Sequence, residues 1–134
     1  MTPANTPVNT DTDTDSNSDT ALSPVLAEHV RAVNAFDLEA IVATFAEDAF
    51  VNDARREFWG IEAIRAWVAK ELVGDKVTLE VTEVVEHRGQ TVVRARYDGE
   101  YDKTNLPGEL IMTNYFTVRD GLIVTMFVIR NQEA

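Results

Sequence analysis

The chain of 134 residues has no cysteine, which excludes disulfides, thiolate metal sites and cysteine nucleophiles. It has only two histidines, His29 and His87, and no H-x-x-x-H spacing, so no metal site is expected. Basic residues are scarce: 12 Lys and Arg stand against 23 Asp and Glu, a formal net charge of −11. That balance argues against a nucleic-acid backbone and against an anionic membrane surface as partners. No apolar run is long enough to span a bilayer. The longest, Leu122 to Ile129, is interrupted by Thr125. The P-loop and the G-x-G-x-x-G pattern are both missing, so no cofactor is expected. What is present is a hydrophobic fraction of 45%, enough for one packed domain.

Residues 1–20, MTPANTPVNTDTDTDSNSDT, are almost entirely Thr, Asp, Asn, Ser and Pro. A segment this polar cannot offset its ordering entropy by burial, and it reads as a disordered acidic tail. It lacks the basic start and apolar stretch of a secretion signal, so a cytoplasmic protein is expected. Its D-T-D-T-D run lacks the glycine and terminal glutamate of a calcium loop. Residues 21–134 form the domain.

The domain begins with helical periodicity. Ser23 is placed as an N-cap with Pro24 at the first helical position, and Val25, Leu26, His29, Val30 and Val33 recur on one face. Phe36 ends this helix. Asp37 caps a second, short one carrying Leu38, Ile41, Val42 and Phe45. Ala49 to Asp53 reads as a short strand and Arg55, Arg56 and Glu57 as a charged turn. Gly60 opens a third helix with Ile61, Ile64, Trp67, Val68 and Leu72 on one side, stopped at Gly74. Beyond Gly74 the period becomes 2, and Arg88-Gly89 and Asp120-Gly121 mark hairpin turns. Helices first and antiparallel strands after them indicate an α+β fold, one curved sheet with three N-terminal helices packed over one face. On the last strand, period 2 puts Ile123, Phe127 and Ile129 on one face and Leu122, Val124, Met126 and Val128 on the other. Both are apolar, so one face needs a cover, and a homodimer through the outer sheet is expected.

Several polar residues stand on apolar faces. Asn114 lies between Met112 and Phe116. It reads either as a pocket amide or as an amide tying a sheet bulge. His29 sits beside Leu26 and Val33, either a pocket donor or a core-edge histidine. Glu83 follows Val77, Leu79 and Val81 inward, unless a bulge near Val84-Val85 turns it outward. Arg94, Arg96, Asp98 and Glu100 read as a solvated charge ladder.

The text FDLEAIVATFAEDAFVND, the F-x-G-x-x-x-I-x-x-W pattern of Phe58, Gly60, Ile64 and Trp67, and RDGLI before the last strand resemble the SnoaL-like or nuclear-transport-factor-2-like superfamily. The resemblance covers Leu22 to Asn131. It implies a cone-shaped curved sheet around a pocket closed by the helices, and homodimers through the sheet. The superfamily includes steroid isomerases, polyketide cyclases, dehydratases, epoxide hydrolases and plain binding modules, so the fold locates a site without naming a reaction. In the steroid isomerase comparison Asp53 falls on the general base; by residue chemistry alone it can equally pair with Arg55 or Arg56. Asn114 falls on the protonated acid and His29 on the oxyanion-binding tyrosine, two departures from the pattern. Phe45, Phe116 and Met126 are expected in the pocket, Trp59 at its mouth, and Arg130 opposite an anionic ligand group. The expected function is cofactor-free isomerase, cyclase or dehydratase chemistry on a small apolar carbonyl compound, with Asp53 as base. The alternative is a non-catalytic ligand-binding or dimerisation module of the same fold.

Overall fold

The first helix, α1 (Pro24–Asn34), buries Leu26, His29, Ala32 and Val33, one stripe at helical spacing. Ser23 occupies the N-cap position, but its hydroxyl does not cap, and its Oγ is buried without a partner among the described residues. The computed structural model describes residues 22–104, 106 and 108–130; the tail expected over residues 1–20 lies outside them. Asp37 caps α2 (Leu38–Val42) by accepting from the Ala40 N–H at 3.1 Å.

Here the structure departs from the periodicity. Helix α2 stops before Phe45, because the Thr44 hydroxyl donates to the Ile41 carbonyl at 2.6 Å, giving the backbone a non-helical way out. Phe45 instead begins β1 (Phe45–Asp53), nine residues long. The expected charged turn shrinks to Ala54 and Arg55, both at positive φ (54° and 72°), and Arg56 already belongs to β2 (Arg56–Trp59).

Helix α3 (Gly60–Trp67) runs into a π-helical turn, Val68–Val73. Its closing bond runs from the Gly74 N–H to the Ala69 carbonyl at 2.9 Å. Gly74 is right-handed at φ −61°, so it is not the left-handed stop that a terminal glycine suggests. Close approach requires it: a Cβ there would lie 2.3 Å from the Lys70 carbonyl oxygen.

Strands β3 (Thr78–His87), β4 (Gln90–Asp98), β5 (Leu110–Arg119) and β6 (Leu122–Arg130) follow. Arg88-Gly89 and Asp120-Gly121 turn with positive φ at both residues, as the dipeptides suggest. The six strands form one sheet in the order β2-β1-β6-β5-β4-β3. All pairs are antiparallel except β1 with β6, which run parallel and set Asp53 beside Val128.

Besides a register shift in β1 between Phe45 and Phe50, two irregularities change which residues face inward. A register shift between Val81 and Glu83 turns Glu83 outward, where it ion-pairs with Arg94. A second shift, opposite Thr117 and Val118, leaves Val124 as the extra residue between Ile123 and Thr125. Strict alternation therefore fails on β6: Ile123, Met126 and Val128 are all buried, while Ile129 is exposed. Leu26, Ile41, Val51, Ile64 and Ile123 form the fully buried centre between helices and sheet. Among the described residues no helix is long and apolar enough to cross a membrane.

Candidate functional site

Between the helices and the concave face of the sheet lies a cavity of about 1010 Å³. Asp53, at the end of β1, is on its wall. One carboxylate oxygen, Oδ2, accepts two hydrogen bonds: from Trp67 Nε1 at 3.0 Å and from Arg56 Nη2 at 2.8 Å. Arg56 in turn holds Glu71, on the π-helical turn, through both nitrogens at 2.7 and 2.8 Å. The guanidinium thus bridges two carboxylates, and these hydrogen bonds raise the Arg56 pKa further. Asp53 Oδ1 has no hydrogen bond with a described residue, so an acceptor oxygen on a fixed carboxylate is left over. The pairing with Arg56 and the place on the cavity wall, alternatives in the sequence, coexist here.

His29 also lines the cavity and is 1% exposed. Its ring is held edge-on by Phe45 and Phe116, with centroids 5.5 and 5.6 Å away. Its Nδ1 lies 3.1 Å from Thr44 Oγ1. That hydroxyl already gives its proton to Ile41 O, so it accepts from His29, and Nδ1 carries the ring hydrogen. Burial lowers the His29 pKa from 6.5 to about 4, so the ring is neutral at pH 7. Nε2 then bears a lone pair and has no partner among the described residues. This reverses the donor role assigned to His29 from the sequence: toward a ligand, the neutral ring accepts.

Asn114 is buried but does not line the cavity. Its Nδ2 donates to the Val93 carbonyl at 3.2 Å, which orients the amide. Its Oδ1 then accepts from the Tyr97 hydroxyl at 2.8 Å. Tyr97 lies on β4, four residues along from Val93 and on the same face. It is on the cavity wall, and burial raises its pKa, so the hydroxyl keeps its proton and points it at Asn114 Oδ1. The signal available was that Val93 and Asn114 stand opposite each other in the β4–β5 ladder, with Tyr97 on the same face.

Of the other expected contacts, Met126 and Arg130 line the cavity. Phe45 and Phe116 are buried behind His29. Trp59 lies on the opposite face of the sheet, 67% exposed and stacked on Phe50 at 4.1 Å, so it is not at the mouth. Trp67, read as plain core, is both core and the donor that holds Asp53. Arg55 and Arg130 lie at the rim and form no ion pair with a described residue. Arg96 and Asp98 face away, tied to Glu80, Glu109 and Lys103. No group of three His, Asp or Glu side chains among the described residues could hold a metal ion.

Solved structures share this architecture. A protein assigned as a polyketide cyclase from Sinorhizobium meliloti matches at 25% identity and TM-score 0.71, over 80% of this chain and 94% of that one. A protein with a ketosteroid isomerase-like fold from Catenulispora acidiphila, in complex with trimethylamine, matches at 19% identity and TM-score 0.69, over 81% and 85%. A computationally designed 17-OHP binder matches at 19% identity and TM-score 0.69, over 81% and 90%. No curated protein matches the sequence. The model of the SnoaL-like domain matches residues 26–126, from within α1 to the middle of β6, and the chain belongs to that family.

Proposed function

We propose that the protein is a cofactor-free isomerase, cyclase or dehydratase acting on a small apolar carbonyl compound, with Asp53 as proton acceptor. The observation that carries this reading is the held carboxylate: Trp67 and Arg56 take Oδ2, and Oδ1 is left without a protein partner on the cavity wall. A base fixed by two donors loses little freedom when it meets a substrate. Oδ1 takes a proton from the carbon next to the carbonyl. The C–H electron pair becomes the C–C π bond, and the carbonyl oxygen takes up the negative charge. Returning the proton to another carbon completes an isomerisation. Arg55 and Arg130 at the rim are cations free to face that oxygen. Asn114 contributes by positioning Tyr97.

The ring pair of Phe50 and the exposed Trp59, neither of which lines the cavity, supports a homodimer formed through the sheet. The second reading, a binding module without chemistry, is favoured by the same ion pair, since Asp53 already has a cationic partner in Arg56.

The test uses 2-tetralone, an apolar enolisable ketone, in D2O. The protein is expected to accelerate exchange of its α-protons, and Asp53→Asn to reduce that acceleration by about 100-fold or more. Exchange at the buffer rate, or exchange untouched by Asp53→Asn, leaves the binding module.

A further inference from the structure

Two hydrogen-bond chains run to the cavity wall, and each starts at a backbone carbonyl, which can only accept. The first begins at Ile41 O. It takes the Thr44 hydroxyl proton at 2.6 Å, Thr44 Oγ1 takes the proton on His29 Nδ1 at 3.1 Å, and Nε2 is left with a lone pair. The second begins at Val93 O. It takes an Asn114 amide proton at 3.2 Å, Asn114 Oδ1 takes the Tyr97 hydroxyl proton at 2.8 Å, and Tyr97 Oη is left with lone pairs. Both chains therefore end as acceptors on residues that line the same cavity. Phe45 and Phe116 on either side of the imidazole offer no competing donor. Nε2 has no partner among the described residues and faces the open cavity, where a donor on a ligand can reach it.

We propose that the inner wall of the cavity selects a ligand carrying a hydroxyl donor, a phenol or alcohol on an apolar scaffold, which it binds through His29 Nε2 with Tyr97 Oη as a second acceptor. This deepens the preceding reading by naming a feature of the ligand, and rests on it only in taking this cavity as the ligand site. A carbonyl or ether oxygen at the same place meets lone pair against lone pair and is rejected. The selectivity comes from Thr44 and Asn114, which touch no ligand themselves but dictate which way their neighbours' protons point.

The probes are 2-naphthol and 2-methoxynaphthalene, alike in scaffold and different in the donor, titrated calorimetrically into the full chain at pH 7. The naphthol is expected to bind about tenfold more tightly. Thr44→Val removes the acceptor for Nδ1 and releases the ring to carry its proton on Nε2, so the preference is expected to disappear. Long-range 1H–15N correlation spectra of the wild-type protein are expected to show His29 as the neutral Nδ1–H tautomer, a readout independent of the variant. The acceptor wall is read in the binding of the naphthol against its ether and the base in the α-proton exchange of 2-tetralone, so failure of the base and failure of the acceptor wall are separate results. Equal binding, tighter binding of the ether, binding of neither probe, or an Nε2–H tautomer overturns the proposal.

Discussion

Acidification will expose the cost of burying His29. In the folded chain the ring titrates at about 4, against 6.5 for an ordinary histidine, because burial disfavours the imidazolium. Its polar and aromatic neighbours, Thr44, Phe45 and Phe116, are all uncharged, so none of them offsets that loss of hydration. Between the two values the unfolded chain binds a proton that the folded chain refuses. Stability is therefore unaffected by His29 above pH 6.5, falls as the pH drops through the window, and levels off below about 4. At 1.36 kcal/mol per pKa unit the whole window amounts to about 3 kcal/mol. Urea unfolding at pH 7, 5.5 and 4 measures the loss. His29→Phe is the reference, since it keeps a ring between Phe45 and Phe116 and does not titrate. The carboxylates of both proteins contribute alike, so the difference between the two stabilities isolates His29. That difference is expected to shift by about 3 kcal/mol in favour of the variant as the pH falls from 7 to 4. Parallel curves for the two proteins would refute the reasoning and show a histidine that is solvated or charged in the fold.

Trp67→Phe removes the indole donor to Asp53 while keeping the buried ring, and is expected to cost about 1.5–3 kcal/mol in urea unfolding; a change of a few tenths would mean that the indole does not hold the carboxylate. Gly74→Ala forces a Cβ against the Lys70 carbonyl and is expected to destabilise by about 1–3 kcal/mol, with an unchanged Tm as the contrary result. The wild-type protein is expected to sediment as a dimer at micromolar concentration and Trp59→Asp as a monomer; a monomeric wild type removes the case for sheet-to-sheet association.

The elements that were legible from sequence carry a strong period or an unambiguous turn. Helices α1 and α3 and the β3–β4 and β5–β6 hairpins belong to this group; Glu83 does not, since its period pointed inward and the bulge that turns it outward lies between Val81 and Glu83 rather than at Val84-Val85. Strand β2 was not legible, because an edge strand with a single neighbour leaves Arg56, Glu57 and Trp59 exposed and shows no alternation. The start of β1 was hidden by Phe45, whose spacing from Ile41 and Val42 fits a helix equally well. At the site, Asp53 could be singled out by resemblance, but its holders could not. Trp67 has the periodicity of a core residue and reveals its second role only by the direction of Nε1. The tautomer of His29 depends on Thr44, fifteen residues away, and on Thr44 having already committed its proton to Ile41. No local pattern encodes a proton's direction that is relayed through two contacts.

The parallel pairing of β1 with β6 has a consequence for synthesis. As the chain emerges in order, β3, β4 and β5 can zip into a meander as soon as each is made, since each pairs with its sequence neighbour. Strand β1 cannot: apart from the four-residue β2, its only neighbour is β6, which ends at Arg130. Through most of translation one edge of β1 is unpaired, with Val51 and Ala49, both fully buried in the finished fold, lacking the strand beside them. The β1 edge that carries Asp53 thus closes last, when a segment about 75 positions downstream arrives, and a ribosome paused before that point presents a nascent chain with an open, apolar seam.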